Sequence, residues 1–523
     1  MPARVVAVLV IAAAAAATPA ASPMQAFLAD AKARLLAGPP TRAAAAVAAA
    51  AAAPPAARAT RPTVVLGNTA GDLDTIVSSV VLAFCRHAAV ASEAVTMATT
   101  DDGAPPPLFV PLIPFARRDF RLRQDACALF AHAGFAPDEH GAPAELLFAD
   151  ELTDATVALW QAAPADAPFA LILTDHNALD AGTAARLRAD DGAVSAIYDH
   201  HNDARRHERA APRVIDVAAG SASSLIAELL LHPAAPSPPL AQACVLLLGA
   251  IAVDTRAFAA DAHKYSHRDV HAAHALLAAL ARPAALPRAP PALSANGDEI
   301  SRHAKWLRAD APLPPLAALG GSASLKALGK RLLDARFEVA GLSVGELLAL
   351  DYKQTDGGGL RVGVAAIFIP LADLLLRAGG GGPLEEAMGR FAHERGVDVL
   401  LALTAADDRS SVRSARAEGE GEGELSGLKG AAVAPALERG DAPVRACAAL
   451  AAALERAPEG LPAALLAEPL YVKQGIASAA GFGLEFALAD GARHLRTSAL
   501  RRSATRKTVL PAVTHLCARL ALE

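Results

Sequence analysis

Apolar and polar positions along the chain define two patterned regions. Residues 63–66 (TVVL) form a short β-branched, apolar run that stops at Gly67-Asn68, and residues 74–91 then carry a helical pattern. Residues 169–173 are a second apolar run, ending in Thr174-Asp175-His176-Asn177. Residues 194–198 are a third, ending in Asp199-His200-His201. Short buried strands alternating with helical stretches predict a parallel sheet in an α/β domain over 61–280. In such sheets ligands sit beyond the carboxyl ends of the strands. Acidic or imidazole side chains follow all three runs at that end.

Residues 281–323 are rich in proline and alanine and read as a linker or insertion. A second patterned region, smaller and also α/β, occupies 324–523. Within it EGEGEGE at 418–424 is a low-complexity acidic loop, best explained as a solvated surface insertion. Residues 22–60 are an Ala/Pro-rich extension, with order expected to begin at Arg61. Residues 1–21 place Arg4 before an apolar run and small residues after it, the layout of a secretory signal peptide. An alanine-rich extension explains the same stretch equally well. The run is too short to cross a bilayer comfortably, and no stable membrane span is expected elsewhere, residues 240–252 being apolar but short.

Composition narrows the function classes. Of 523 residues, 53% are hydrophobic and 20% charged, which excludes wholesale disorder. The net charge of -5 excludes a generally basic, nucleic-acid-binding coat, so an anionic ligand needs a local basic cluster. Five cysteines, far apart and without CxxC spacing, argue against a disulfide scaffold or a structural zinc site.

The chemistry-bearing positions are Asp72 and Asp74 in GNTAGDLDT, Asp175 in LTDHN, Asp199 with His200 and His201 in YDHH, and Asp254 in GAIAVDT. Aspartates brought together at adjacent strand ends repel, and their pKa values rise unless cations offset the charge. Oxygen-rich sites with one or two imidazoles suit Mn²⁺, Mg²⁺ or Co²⁺. Each piece alone is weak: Asp72 or Asp74 can cap the helix that follows, and buried histidines are more often hydrogen-bonded core residues than ligands. Their joint occurrence at predicted element ends is what points to a site.

In this order the motifs resemble the DHH phosphoesterase superfamily, in particular yeast-type exopolyphosphatases, with prune proteins and manganese-dependent family II inorganic pyrophosphatases as relatives. GNTAGDLDT, TDHN, IYDHH, GSASSL (220–225) and LLLGAIAVDT (246–255) carry the first half of the resemblance. DYKQ (351–354), RFAHERGVDVLL (390–401) and ATRKTVLP (504–511) carry the second. The resemblance implies a DHH catalytic domain, a C-terminal substrate-binding domain and an active site in the cleft between them. It implies two divalent ions, Mn²⁺ or Mg²⁺ with Co²⁺ as a further candidate. The first is held by Asp72, the second by Asp74, His200 and Asp254, with Asp175 bridging. Asp199 then orients an imidazole, and His201 faces the phosphate. Asn68 stands where the pyrophosphatases have histidine, which argues against a dedicated pyrophosphatase. Lys353, Arg506 and Lys507 match phosphate-binding positions, and Arg123 resembles another. Arg493, Arg496, Arg501 and Arg502 either extend a basic track or are ordinary solvated arginines. Gly220-Ser221 either offers backbone N–H groups to an anion or is a buried helix start.

The implied activity is removal of terminal orthophosphate from inorganic polyphosphate by water activated at two metals. The alternatives are a prune-like short-chain polyphosphatase or cyclic-nucleotide phosphodiesterase, and a catalytically weak polyphosphate-binding protein. Cytoplasmic location follows from the resemblance and conflicts with residues 1–21 being a secretory or organellar signal.

Overall fold

The computed structural model describes residues 21–38, 62–96, 108–161, 169–231, 241–259, 264–281, 324–357, 359–406, 429–436, 441–455 and 492–500, with isolated positions elsewhere. Residues 1–20 of the expected signal segment, the acidic loop at 418–424, and Arg501, Arg502, Arg506 and Lys507 lie outside them.

The first domain is built on a six-stranded sheet. Its strands are β1 (Thr63–Leu66), β2 (Phe109–Ile113), β3 (Leu147–Phe148), β4 (Ala170–Thr174), β5 (Val194–Asp199) and β6 (Arg213–Ile215). The spatial order is β3-β2-β1-β4-β5-β6 and every pairing is parallel. The strand order reverses direction at β1 and β4, a switch point of the kind that opens a crevice at the carboxyl ends. Val64, Val65, Leu171 and Leu173 are buried, which explains why these strands read as continuous apolar runs.

Helices α1 (Pro23–Ala37), α2 (Leu73–Thr96), α3 (Gln124–His132), α4 (Asp154–Gln161), α5 (Ala181–Leu187), α6 (Ala222–Leu230), α7 (Ala241–Asp254), α8 (His267–Ala281) and α9 (Leu325–Arg336) complete the domain. Helix α7 is buried along its whole length, from Ala243 to Val253. It delivers Asp254 as its last residue. In α2 the stretch Leu73–Val90 is long and apolar enough to cross a bilayer by length and composition, contrary to the expectation of no such span outside the N-terminus. It is a packed helix here: Ile76, Val77, Val80 and Val81 are buried in the first core.

Two expected boundaries shift. Order does not begin at Arg61: α1 starts in a Ser22 capping box and buries Met24, Phe27, Leu28, Ala31 and Leu35 in the first core. Its alanines hid an amphipathic stripe spaced by three and four residues. Lys32 adds an ion pair to Glu151 at 2.7 Å. Nor does the second domain begin at 324. Leu325, Leu328 and Leu332 of α9 belong to the first core, as do Ala304 and Leu307 from the proline-rich stretch. The chain crosses over after Arg336.

The second domain has a five-stranded mixed sheet in the order β11-β10-β9-β8-β7. Here β7 is Tyr352–Gly357, β8 Leu360–Pro370, β9 Val399–Ala406, β10 Lys429–Pro435 and β11 Arg496–Leu500. Strands β8 and β9 are parallel and the other pairs antiparallel. Helices α10 (Val344–Leu350), α11 (Leu371–Ala378), α12 (Gly381–Glu394) and α13 (Asp441–Glu455) accompany it. The sheet has a core on each face: Ala365, Leu400 and Ala432 pack with Leu374 and Met388, whereas Val364, Leu401 and Val433 pack with Cys447 and Leu450. The domains meet where the short helix Arg117–Leu122 reaches across. Leu122 is buried in the second core and Arg121 pairs with Glu346.

Because α1 is part of the core, Leu28→Ala destabilises the first domain by about 2–4 kcal/mol, as for other buried leucines. Urea unfolding of the full chain measures it, and an unchanged midpoint refutes the packing of α1.

Candidate functional site

The crevice above β1, β4 and β5 gathers the predicted residues from five segments. After β1, Gly67 lets the loop turn back: a Cβ there would lie 2.2 Å from Thr75 Cγ2. The loop then enters α2, where Asp72 caps the helix, its Oδ1 accepting from Thr75 N at 3.1 Å. Asp74 follows in the first turn and is buried. It accepts from Ala222 N at 2.6 Å, and from Ser223 N at 2.8 Å and Ser223 Oγ at 2.5 Å. The amino terminus of α6 therefore binds a carboxylate of the protein itself. Near Gly220-Ser221, considered for an anion, Gly220 N donates to Asp269, and Ala222 N and Ser223 N at the start of α6 donate to Asp74. The buried helix start is the outcome.

Asp175 follows β4 with φ of 59°, in the left-handed region that a non-glycine residue enters at a cost of about 1–3 kcal/mol. Its Oδ2 accepts from Asn68 Nδ2 at 2.7 Å and Thr75 Oγ1 at 2.5 Å. Its Oδ1 is buried and has no hydrogen-bond partner. That oxygen lies 3.2 Å from His200 Nε2 and 3.5 Å from His201 Nδ1. Potential ligand atoms of Asp175, His200 and His201 all lie within 4.8 Å of one another.

The two imidazoles are held differently. His200 Nδ1 meets the carbonyl of Ala219 at 3.1 Å. A carbonyl only accepts, so Nδ1 carries the proton and Nε2 of the neutral ring is a lone-pair donor. Nε2 lies 3.2 Å from one carboxylate and 4.0 Å from Asp74 Oδ2. Lone pairs facing one another at such distances call for a proton or a cation between them. His201 Nδ1 meets Asp199 Oδ1 at 2.9 Å, which leaves its Nε2 for an external group. Burial alone would raise the Asp199 carboxyl, but the hydrogen bond and charge of His201, with Asn177, hold it below the usual range. Asn177 also donates to Asn202 O and accepts from Ala204 N, fixing the turn beyond the histidines.

Asp254 completes the group from the carboxyl end of α7, the dipole end that disfavours a negative charge. Its Oδ2 is buried without a hydrogen-bond partner. Burial, then the charges of Asp74 and Asp72, push its pKa well above the ordinary value. Burial and Asp175 push Asp74 upward as well. Two buried carboxylate oxygens without a hydrogen-bond partner, an imidazole nitrogen 3.2 Å from one of them, and two carboxyls raised by burial and neighbouring charge fit a divalent cation. The donors are oxygen and nitrogen. Asp175, His200 and His201 have ligand atoms close enough together to hold such an ion. Asp74 lies 4.0 Å from His200 Nε2, and Asp254 is close enough to feel the charges of Asp74 and Asp72.

Asn68 does not offer a free ligand atom. Its amide nitrogen is spent on Thr75 Oγ1 at 2.6 Å and on Asp175, and its oxygen accepts from Ala70 N at 2.9 Å. Arg123, considered for phosphate, is buried. It donates to the carbonyls of Gly71, Ala70 and Ala349 and lies over the Phe115 ring. It ties the Asp72 loop to α10 of the second domain. Lys353 is half-buried on β7. Arg493 is exposed beside Ala492, its N–H bound to Glu385, and Arg496 opens β11.

The sequence reading passed over several residues. Thr75 and Asn177 lie inside the quoted motifs but were not assigned roles. Ser223, inside GSASSL, was likewise given no role, and Arg336 carried no local signal. Arg336 ends α9 with its Nε 3.8 Å from Asp125 Oδ2. Burial opposes its charge, yet Asp125, Asp72, Asp351 and Asp254 raise its pKa above the ordinary arginine value.

Fold and site together define a two-domain α/β protein with a carboxylate–histidine cluster at strand ends. Residues 330–516 match the DHHA2 domain. Exopolyphosphatase PRUNE1 of Bos taurus is 27% identical over 341 residues, 65% of this chain and 59% of the relative. A putative exopolyphosphatase of Schizosaccharomyces pombe is 26% identical over 162 residues, 31% of this chain and 34% of that protein. The chain thus spans less than two thirds of the curated relatives it matches. A crystal structure of a putative family II inorganic pyrophosphatase from Methanococcus jannaschii aligns with 87% of this chain and 99% of its own, at 15% identity and a TM-score of 0.43. The chain thus matches the DHHA2 domain over residues 330–516 and is similar to proteins named exopolyphosphatases.

The electrostatics make a prediction without substrate. A carboxyl whose folded pKa is raised contributes stability below its ordinary value of 3.8 and loses it as pH rises through the folded value. In EDTA near neutral pH, Asp254→Asn therefore melts above wild type. Mn²⁺ at a hundredfold excess over its Kd stabilises wild type by about 2.7 kcal/mol, and Asp254→Asn or Asp175→Ala gains far less. Calorimetry with and without Mn²⁺ measures both effects; equal Mn²⁺ shifts in all three proteins refute the cluster as a cation site.

Proposed function

We propose that the protein is a metal-dependent exopolyphosphatase that releases terminal orthophosphate from inorganic polyphosphate. The observation that carries the reading is the Asp175–His200–His201 group at the ends of β4 and β5, within a chain whose relatives are named exopolyphosphatases. Divalent ions, Mn²⁺ or Mg²⁺ with Co²⁺ as a further candidate, supply Lewis acidity there, lowering the pKa of a water and offsetting phosphate charge.

The protein's own residues do the rest. Asp74, Asp175, His200 and Asp254 hold the cations, with Asp72 at the first position. Asn68 and Thr75 fix the Asp175 carboxylate so that its other oxygen is presented in one place. Asp199 holds His201 by Nδ1, and Nε2 meets the phosphate under attack. Water adds to the terminal phosphorus as the P–O–P bond breaks. Orthophosphate and a chain shorter by one unit result, without a covalent enzyme intermediate. Lys353, Arg506 and Lys507 neutralise the polyanion from the second domain, restricting its motion and stabilising charge on the transferring group.

Full-length protein incubated with long polyphosphate and Mg²⁺, Mn²⁺ or Co²⁺ should release orthophosphate, with pyrophosphate a poor substrate. Asp175→Ala should lower the rate by on the order of 10³-fold while keeping its circular dichroism. Retained activity in a folded Asp175→Ala protein sinks the mechanism. The prune relatives favour one refinement, a preference for short chains, which a chain-length series resolves.

A further inference from the structure

The loop from β6 to α6 carries contacts to two of the residues assigned to the cation. Ala219 O fixes the tautomer of His200, and three residues on, Ala222 N and Ser223 N and Oγ hold Asp74. The position of this loop therefore sets where a nitrogen and a carboxylate sit relative to each other. Behind it stands Asp269 on α8, with 0% exposure. Its Oδ2 accepts from Gly220 N at 2.8 Å, and from Ser266 N at 2.7 Å and Ser266 Oγ at 3.0 Å. Its Oδ1 accepts from Ser224 Oγ at 2.6 Å.

A carboxylate that only capped α8 would need the Ser266 bonds alone. Two of the four bonds go instead to Gly220 of the loop and Ser224 in the first turn of α6, one on each side of the residues that touch Asp74. The loop has little room to settle elsewhere. A Cβ on Gly220 would lie 2.2 Å from Lys264 O and 3.1 Å from Thr255 Cγ2, so its backbone is pressed against the residue that follows Asp254.

We propose that Asp269 is a positioning residue for the divalent-cation centre, locking the 219–224 loop so that His200 Nε2 and the Asp74 carboxylate converge on one ion. The inference rests on the reading that Asp74 and His200 hold that ion. Outer partners that orient ligands typically change metal affinity by about 10–100-fold when removed. A buried carboxylate with four donors is also hard to replace: asparagine keeps one oxygen and turns an N–H toward a group that was donating.

The test titrates Mn²⁺ into the full chain and reads the free ion by electron paramagnetic resonance, with circular dichroism and melting in EDTA alongside. Asp269→Asn and Ser224→Ala are expected to stay folded and to bind Mn²⁺ about tenfold more weakly. Ser266→Ala loses only a capping bond to the same carboxylate; it should melt lower and keep wild-type affinity. Wild-type affinity in folded Asp269→Asn and Ser224→Ala overturns the proposal while leaving the cation site intact. If Asp269→Asn does not fold, Ser224→Ala decides. Failure of the wild type itself to bind Mn²⁺ overturns both this inference and the proposed function.

Discussion

Mutual repulsion of carboxylates held away from water is the constraint on which this structure turns. Asp74 and Asp175 are buried and Asp254 has a buried oxygen, and each charge makes the others harder to keep. The fold satisfies these groups by halves. The start of α6 supplies two N–H groups and a hydroxyl to Asp74, where the helix dipole also helps. Asn68 and Thr75 satisfy one oxygen of Asp175 and leave the other bare. Asp254 stands at the wrong end of its helix for an anion. A core optimised for stability alone would not retain this arrangement; a cation removes its main cost.

The rigidity around the cluster follows from the same need. Three segments of the cluster follow parallel strands and a fourth ends α7, so their backbones are fixed by the sheet and by α2 and α7 rather than by loops alone. Where a loop is unavoidable it is tied at both ends. Asn177 braces the turn after His201, and Asp269 braces the turn before α6. The left-handed backbone at Asp175 is tolerated because its side chain and its N–H are both engaged, the latter by Tyr198 O at 2.9 Å. Strain at one residue is offset by bonds that several others make to it.

Much of this was legible in the sequence, for identifiable reasons. Strand β1 was read to the residue, and β4 and β5 to within one, because doubly covered strands are apolar runs that end abruptly in polar ones. The cluster was legible because its members are chemically unusual at such ends. Helix α1 was not, since its stripe of Met24, Phe27, Leu28, Ala31 and Leu35 is set among alanines that blur periodicity. Helix α9 was assigned to the wrong domain because amphipathicity shows that a face is buried but not against what. Arg123, singled out by resemblance as a phosphate contact, also gives Nε and one terminal nitrogen to backbone carbonyls, bonds that only the tertiary fold reveals.

The same arginine is one of the polar links that join the second domain to the first. Arg123 holds the loop bearing Asp72 and also reaches the Ala349 carbonyl, two residues before Asp351. Arg336, the last residue of the first domain, has its charge held by Asp125, Asp72 and Asp254 on one side and by Asp351 on the other. Lys353 lies two residues beyond Asp351 on β7. Two first-domain guanidinium groups thus sit among charges of both the acidic cluster and the second domain: Asp72 and Asp351 act on both Arg123 and Arg336. Coulomb attraction in partly buried surroundings is stronger than at an open surface. The Asp72 and Asp254 charges of the cluster and the Asp351 charge before β7 therefore act on one guanidinium, that of Arg336.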